Sequence, residues 1–362
     1  AAADYIKAIE LGGDAMVDAH GNLATYYFEN KQFNLADTYY RKAIALQPGY
    51  ALTHWNYGMH LLLHGEFAQG WREYHWRWQV PSYQLRFRKL TQLIWLGQSS
   101  IAGKTILLQC EQGLGDMIQF CRYAEQVAAL GANVILEVQS SLVELCRSVQ
   151  GVGKVIAQND DIGHYDFYCP MMSLPLALGT TLANIPAPTK YLKADVFKVV
   201  EWQQRLGIKN KPRIGIVWSS DPTLAVGPSK TIALELFASL QSEQFELVSL
   251  QKNLWYQEES KLASMRIRHF GDVIKNFVDT AALIECMDLV ISVDTSVAHL
   301  AGALGRPVWI LLHSHADWRW LVNRSDSVWY PSAMLHRKPD GGNWQDVIAA
   351  LKPDLHALMQ SS

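Results

Sequence analysis

Two apolar segments separated by a helical one, over residues 288–312, constrain the fold of this chain most strongly. Residues 288–293 are rich in β-branched side chains, which is typical of a buried parallel strand. Apolar residues then recur at helical spacing from Val297 to Leu304, and Gly305 with Pro307 predicts the end of that helix. A second apolar strand is predicted from residue 308. The segment is therefore predicted to form one β–α–β unit of a parallel sheet.

Three polar residues occupy the strand-to-helix turn of this unit, namely Asp294, Thr295 and Ser296. A helix N-terminus offers backbone N–H groups, and with neighbouring hydroxyls it forms a ready anion site. Ligands of open α/β sheets gather at the carboxyl ends of strands, where this turn lies. The same residue types are also the preferred helix N-caps. The turn alone leaves phosphate binding and plain capping open.

Length and composition limit the class of protein. A chain of 362 residues predicts two or three domains, and 49% apolar with 18% charged residues is typical of a globular protein. The net charge of −2 gives no reason to expect nucleic acid as a partner. Five widely spaced cysteines in apolar context, an N-terminus unlike a signal peptide and no membrane-spanning run predict a cytoplasmic location.

A repeat with a period of 34 residues runs through the first eighty positions. Its period and pattern resemble tetratricopeptide repeats over residues 16–80, and residues 5–11 look like the last helix of an earlier repeat. About two and a half repeats are present, fewer than the three or so that such arrays need alone. The paired positions are His20 and His54, Ala24 and Gly58, Phe33 and Phe67, and Tyr40 and Tyr74.

An aromatic run follows the repeats. Trp71, Tyr74 and Trp78 share one helical face, which favours packing against the rest of the protein over a peptide-binding surface. Residues 81–103, with their prolines, glycines and a basic cluster, then read as an irregular connector.

The first α/β domain is predicted to start with a strand over 104–110, followed by a glycine-bearing turn, a helix over 117–130 and a strand over 133–138. This order is typical of a Rossmann-like half. Ile118 stands where a dinucleotide fingerprint has its third glycine, which disfavours a redox dinucleotide. Asp116 lies at the helix start, where it could serve as a general base or merely stabilise the helix.

The strand pattern restarts at residue 213. Strands are predicted over 213–218, 245–250 and 265–270, with a helix over 234–240, and polar residues follow each strand. We expect the polar residues at these strand ends and the turn at 294–296 to line one crevice. Lys230 and Lys252 are either cations for a diphosphate or ordinary surface lysines, and His299 either meets a ligand or belongs to the core.

Two motifs now support a family resemblance. The Gly-Leu-Gly-Asp turn at 113–116 and Val-Asp-Thr-Ser-x-x-His-Leu-Ala-Gly-Ala-x-Gly-x-Pro at 293–307 resemble the heptosyltransferases, family 9 of the glycosyltransferases. The whole chain resembles bacterial proteins that carry such a domain behind tetratricopeptide repeats. The resemblance implies helical repeats followed by a GT-B fold, two Rossmann-like domains facing across a cleft. The implied domains are repeats at 1–80, a connector at 81–103, an acceptor domain at 104–195 and a donor domain at 196–362.

The resemblance also implies residue roles. Asp116 matches the catalytic base, and Asp294, Thr295, Ser296 and His299 match the motif that binds the donor nucleotide. Lys230 lies near the sequence position at which the family has a basic residue that contacts the donor phosphates. The preceding segment, 220–229, departs from the more polar and basic loop of the family. The predicted binding set is Gln112, Gly113, Gly115, Trp218, Ser219, Lys230, Gln251, Lys252, Asp294, Thr295, Ser296 and His299.

The predicted function is transfer of a sugar from a nucleoside-diphosphate sugar to an acceptor hydroxyl, with inversion. The sequence contains no Asp-x-Asp, so neither a metal nor another cofactor is predicted. The acceptor would be a saccharide, a lipid-linked saccharide or a protein, and the repeats would hold the acceptor or a protein partner. Two alternatives remain open: a non-catalytic repeat scaffold with a degenerate GT-B domain, and a sugar-nucleotide epimerase.

Overall fold

The computed structural model describes residues 1–12, 16–220 and 230–360. The segment 221–229, where the sequence departs from the family pattern, lies outside the described residues. The helices are α1 Ala2–Leu11, α2 Met16–Glu29, α3 Phe33–Leu46, α4 Ala51–Leu63, α5 Phe67–His75, α6 Pro81–Gln84, α7 Leu114–Phe120, α8 Ala124–Ala129, α9 Val143–Cys146, α10 Leu174–Ala177, α11 Val196–Leu206, α12 Glu258–Ser264, α13 Phe277–Glu285, α14 Ser296–Ala303 and α15 Trp344–Gln360. The strands are β1 Leu93–Ile94, β2 Thr105–Gln109, β3 Asn133–Val138, β4 Val152–Ala157, β5 Phe167–Pro170, β6 Arg213–Val217, β7 Glu246–Ser249, β8 Leu289–Val293, β9 Val308–Leu312 and β10 Ala333–Arg337.

The chain divides into two compact units. The predicted division at residues 80, 103 and 195 stays a prediction. Unit 1 comprises Ala1–Ser99, Ser173–Ile185 and His315–Asn323, and unit 2 comprises Ser100–Met172, Pro186–Ser314 and Arg324–Ser362.

Unit 1 is built on the helices of the repeat region. α3 and α5 begin at Phe33 and Phe67, two positions that the sequence repeat pairs. Gly58 lets α4 and α5 approach closely, since a Cβ there would lie 2.4 Å from the backbone nitrogen of Tyr74. The identification of these helices as tetratricopeptide repeats stays a prediction. A buried cluster joins α2, α3 and α4 through Ala24, Ala36, Tyr40, Tyr57 and Leu61.

The aromatic face that follows the repeats packs within unit 1. The Trp71 ring meets the edge of the Trp318 ring at 5.3 Å between centroids, and the Trp78 ring lies 5.2 Å from that of Phe87. Trp318 belongs to the segment that returns to this unit from late in the chain. Trp318 is buried in this packing.

One buried and one partly buried histidine of unit 1 make its stability depend on pH. Burial, and then the neighbouring His64, lowers the pKa of His60 to about 4. Burial, and then Arg77, lowers the pKa of His75 to about 4. In the unfolded chain both titrate near pH ~6.5, so below that pH the unfolded state binds more protons than the folded state. The stabilisation is therefore complete above pH ~6.5 and is lost as the pH falls towards about 4.

We expect His60 alone to cost about 2–3 kcal/mol of unfolding free energy between pH ~6.5 and ~4. Urea unfolding followed by circular dichroism across that range measures the loss. The variant His60→Leu should lose less unfolding free energy between pH ~6.5 and ~4 than the wild type, whereas His164→Leu, at an exposed histidine, should lose as much. An equal loss in His60→Leu and wild type would contradict the role of His60 in the pH dependence.

Unit 2 contains two parallel sheets. In the first, β2 lies between β5 and β3, and β4 pairs with β3. The chain thus moves from β2 to β3 on one side and returns to β5 on the other. This change of direction leaves a crevice at the carboxyl end of β2, where ligands of such sheets bind.

The second sheet of unit 2 has the strand order β10-β9-β8-β6-β7, with all strands parallel. Every residue of β6, β8 and β9 is buried, as expected for strands covered on both faces. β7 and β8 lie on opposite sides of β6, which opens a second crevice at the carboxyl ends of β6 and β8. Both crevices coincide with turns that the sequence singled out.

Some local predictions were wrong. The helix predicted over 117–130 begins earlier, at Leu114, and a 3₁₀ turn at Cys121–Tyr123 separates α7 from α8. The predicted strand over 265–270 is reduced to a single bridge between Arg268 and Val248. The left-handed φ of 51° at Arg266 explains this, because an extended strand needs negative φ. By contrast, the helix predicted over 234–240 is present with those bounds, as a 3₁₀ helix.

Candidate functional site

The glycine-bearing turn places Asp116 in the first turn of α7. Its Oδ2 accepts a hydrogen bond of 2.7 Å from the backbone N–H of Gly113, at the N-cap position. The preceding Gln112 has a left-handed φ of 59°, and its carbonyl accepts from Gln139 Nε2 at 3.1 Å. Such backbone strain in a non-glycine residue is common where a loop is shaped for function.

Two buried carboxylates brace this turn. Glu111 Oε1 accepts a 2.6 Å hydrogen bond from the N–H of Met172, just after β5. Glu137 Oε2, on β3, accepts from the N–H of Cys110 at 3.1 Å. Burial, and then Glu137, raises the pKa of the Cys110 thiol. The carboxylates tie the end of β2 to its neighbours on both sides, a role that the sequence analysis missed because it depends on strand order.

The turn at 294–296 is organised by an ion pair. Lys230 Nζ donates to Asp294 Oδ2 at 3.0 Å and to the Asp294 carbonyl at 3.3 Å. Thr295 is the N-cap of α14, yet its side chain makes no capping hydrogen bond; its Oγ1 lies 3.2 Å from Ser292 Oγ. Because the N-cap side chain does not cap the helix, plain capping does not account for this turn.

His299 lies one turn into α14 and is buried, with 5% of its surface exposed. Its Nδ1 lies 2.8 Å from the hydroxyl of Tyr330, and its Nε2 lies 3.8 Å from Asp294 Oδ1. The ring is thus hydrogen-bonded in the core through Nδ1, and its Nε2 faces the turn at 294–296. Both interpretations of His299 from the sequence, core residue and ligand contact, are compatible with this position.

The first turns of α7 and α14 meet. A Cβ at Gly115 would lie 2.8 Å from His299 Cδ2 and 3.5 Å from the Cα of Ser296, so only glycine allows this approach. The contact brings Asp116 of one sheet's turn beside the 294–299 turn of the other. Two helix N-termini there add positive potential. We call Asp116, Lys230, Asp294, Thr295, Ser296 and His299 the junction site.

The other predicted binding residues divide into two groups. Ser219 and Gln251 follow β6 and β7, and their buried Oγ and Oε1 atoms have no hydrogen-bond partner in the structure of the described chain. Trp218 is fully buried and donates from Nε1 to Glu258 Oε1 at 2.7 Å, so it serves the core. Lys252 is exposed, and its Nζ donates to the carbonyl of Lys275 at 3.2 Å.

No group of three His, Cys, Asp or Glu side chains within residues 1–12, 16–220 and 230–360 is arranged to hold a metal ion. In the same parts of the chain, no helix has the length and apolar character needed to cross a membrane. The five cysteines are buried thiols outside any disulfide.

Residues 275–326 match the sequence model of glycosyltransferase family 9 (heptosyltransferase). The match covers β8, the 294–296 turn and α14, which contribute most of the junction site. This segment is therefore similar in sequence to family 9 glycosyltransferases.

The fold agrees with that assignment. The chain is similar to the crystal structure of a glycosyl transferase family 9 protein from Veillonella parvula, with a TM-score of 0.56 and 11% identity over 73% of this chain and 99% of that chain. It also matches E. coli ADP-heptose lps heptosyltransferase II, with a TM-score of 0.47 and 15% identity over 71% of this chain and 99% of that chain. The likeness to the Veillonella parvula structure confirms the predicted GT-B-like α/β fold.

Among curated proteins, the chain is similar to Protein FlbA of Caulobacter vibrioides. The two are 24% identical over 326 residues, which cover 83% of this chain and 54% of that protein. The chain therefore spans about half the length of this relative.

Unit 2 contains a structural residue that the sequence analysis missed, the buried Arg122. Its Nη1 donates to the carbonyl of Trp329 at 2.6 Å and to that of Pro186 at 3.1 Å, and its Nη2 donates to the Tyr191 hydroxyl at 3.0 Å. The guanidinium also stacks on the rings of Tyr191 and Tyr330, 4.6 and 4.7 Å from their centroids. Arg122 thereby ties the end of α7 to residues far along the chain. An isolated arginine in an apolar helix gives no sequence signal of this role.

Proposed function

We propose that this chain transfers a sugar from a nucleoside-diphosphate sugar to an acceptor hydroxyl. The observation that carries the proposal is the contact of Gly115 with His299 and Ser296, which joins a carboxylate to a polar helix N-terminus at one place. Glycosyl transfer requires both, a base for the acceptor and positive potential for the leaving group.

Asp116 is the base in this proposal. Its carboxylate takes the proton of the acceptor hydroxyl while the acceptor oxygen forms a bond to the anomeric carbon. The bond from that carbon to the diphosphate oxygen breaks, and the electron pair leaves with the nucleoside diphosphate. Attack from the face opposite the leaving group inverts the configuration.

The start of α14 receives the diphosphate. Its backbone N–H groups and the hydroxyls of Thr295 and Ser296 offer donors to phosphate oxygens. Lys230 adds a positive charge that is partly exposed and currently paired with Asp294. In the proposed mechanism these groups stabilise the leaving group without a metal ion.

The unpartnered atoms of Ser219 and Gln251 support a polar ligand in the same crevice. A buried polar atom without a partner costs about 1–3 kcal/mol, and a bound ligand removes that cost. Ser219 follows β6, which pairs directly with the strand that leads to Asp294. We assign these two side chains to the nucleotide part of the donor.

The proposal extends to the rest of the chain. Helices α2 to α5 are proposed to be tetratricopeptide repeats that hold a saccharide, lipid-linked saccharide or protein acceptor, or a protein partner. The cytoplasmic location predicted from the sequence is part of the same proposal.

Thermal unfolding with ADP, GDP, UDP or CDP and their common sugar conjugates tests the donor site. One nucleotide at a hundred times its dissociation constant should stabilise the protein by about 2.7 kcal/mol, a rise of roughly 5–10 °C in the midpoint. The rise should not require Mg²⁺.

Two threonine variants serve as a matched pair in that panel. Thr295→Val should lose most of the shift, whereas Thr38→Val, at an exposed hydroxyl of α3, should keep it. No shift with any nucleotide would contradict the proposal and favour the non-catalytic scaffold.

A further inference from the structure

Tyr330 and His299 form a buried pair behind the junction site. Tyr330 is 1% exposed, and its hydroxyl lies 2.8 Å from His299 Nδ1. The donor is either the Tyr330 hydroxyl or the Nδ1–H group, so the direction of this hydrogen bond is linked to which imidazole nitrogen carries the proton.

A glycine seats the Tyr330 ring on α14. Gly302 lies three residues after His299, on the same face of the helix. A Cβ at Gly302 would lie 2.4 Å from Tyr330 Cδ1, so any other residue would push the ring and its hydroxyl away from Nδ1.

Arg122 holds Tyr330 from the other side. Its guanidinium stacks on the Tyr330 ring and donates to the carbonyl of Trp329, the preceding residue. Tyr330 is therefore fixed through its ring and through its backbone, which leaves its hydroxyl little choice of position.

The charges around His299 decide the direction of the hydrogen bond. Nε2 faces Asp294 Oδ1 at 3.8 Å, where a carboxylate attracts an N–H group and repels a ring lone pair. With one proton on the ring, Nε2 holds that proton, Nδ1 accepts and the Tyr330 hydroxyl donates.

We infer that Tyr330 is a positioning residue that, together with Asp294, holds His299 as the Nε2–H tautomer, so that its N–H donor faces the junction site, where the diphosphate is proposed to bind. The use of this donor rests on the proposed function; the tautomer itself is a property of the protein without ligand. Arg122 and Gly302 act on the site through Tyr330.

Nitrogen-15 NMR of the histidine-labelled full chain without ligand tests the tautomer directly. Wild-type His299 should show a protonated Nε2 and an unprotonated Nδ1, and Tyr330→Phe should populate both tautomers. Tyr57→Phe is the matched control, because it removes another buried hydroxyl, which donates to Asp37 Oδ1 at 2.8 Å in unit 1. It should leave the His299 signals unchanged.

Binding of inorganic pyrophosphate gives the second measurement. We expect its dissociation constant to rise about tenfold in Tyr330→Phe, the loss of one oriented hydrogen bond, and to stay unchanged in Tyr57→Phe.

Several results would overturn the inference. These are a wild-type His299 protonated on Nδ1 or on both nitrogens, signals unaffected by Tyr330→Phe, and equal pyrophosphate affinity in wild type and variant. A wild-type protein with the expected tautomer that binds no pyrophosphate would instead contradict the proposed function and the role of the donor.

Discussion

Asp116→Asn is expected to lower the rate of sugar transfer by about 10²–10⁴-fold, the usual contribution of a general base. Asparagine has nearly the same shape as aspartate, and its Oδ1 can still accept the hydrogen bond from the Gly113 N–H. It cannot take a proton from an acceptor hydroxyl. The loss should therefore appear in kcat, while the affinity for nucleotide and the unfolding midpoint stay close to those of the wild type. The assay follows transfer from the nucleotide sugar that stabilises the protein most.

Asp195→Asn provides the control for this variant. Asp195 also lies at a helix start, where its Oδ1 accepts from the N–H groups of Phe197 and Lys198 at 2.8 and 2.9 Å. It is the N-cap of α11 and makes no described contact with the junction site. Its replacement should change the unfolding free energy by at most about 1 kcal/mol and leave the rate unchanged. Full activity of Asp116→Asn beside this control would remove Asp116 from the mechanism.

Arg122→Ala is expected to lower the unfolding free energy by about 3–5 kcal/mol. The side chain is 3% exposed and donates to three backbone carbonyls and one hydroxyl. Its removal leaves the carbonyls of Pro186 and Trp329 without this donor and abolishes three cation–π contacts, with the rings of Tyr191, Trp329 and Tyr330. The unfolding midpoint, followed by circular dichroism, should fall by roughly 10 °C.

Two further variants bracket this prediction. Arg122→Lys keeps the charge but cannot reproduce the planar fork of donors, so its loss should lie between those of wild type and alanine. Arg147→Ala removes an exposed arginine paired with Glu144 at 3.0 Å, and its effect should stay within about 1 kcal/mol. If Arg122→Ala and Arg147→Ala cost the same, Arg122 does not brace this part of the fold.

Much of the local structure could be predicted from sequence because it depends on neighbours in the chain. The strand at 289–293, the helix from Ser296 and its end near Gly305 follow from apolar spacing and helix-stop residues. The turn before Asp116 was likewise visible in its glycines. Where local signals conflict, prediction was less successful, as in the strand expected over 265–270, which a single residue with positive φ prevents.

The polar residues at the ends of the strands could be recognised from sequence. The directions of their side chains and the distances between them could not. Sequence placed Trp218 and Lys252 in the same set as Asp294, yet the first is a core residue bonded to Glu258 and the second points to the Lys275 carbonyl. A polar or aromatic residue after a strand has the same sequence pattern whether it faces a crevice or the core. Side-chain direction there depends on the packing of other segments.

The sequence by itself determined the family motifs, the order of strands and helices along the chain and the residue types of the junction site. Only the tertiary structure decided that the turns at 113–116 and 294–299 meet, because their contact requires Gly115 to accept His299 at van der Waals distance. It also decided the support of the site: Arg122 reaches Trp329 across 207 positions, and His299 reaches Tyr330 across 31. Such contacts depend on the order of strands in two sheets, a property of the folded chain that no local pattern encodes.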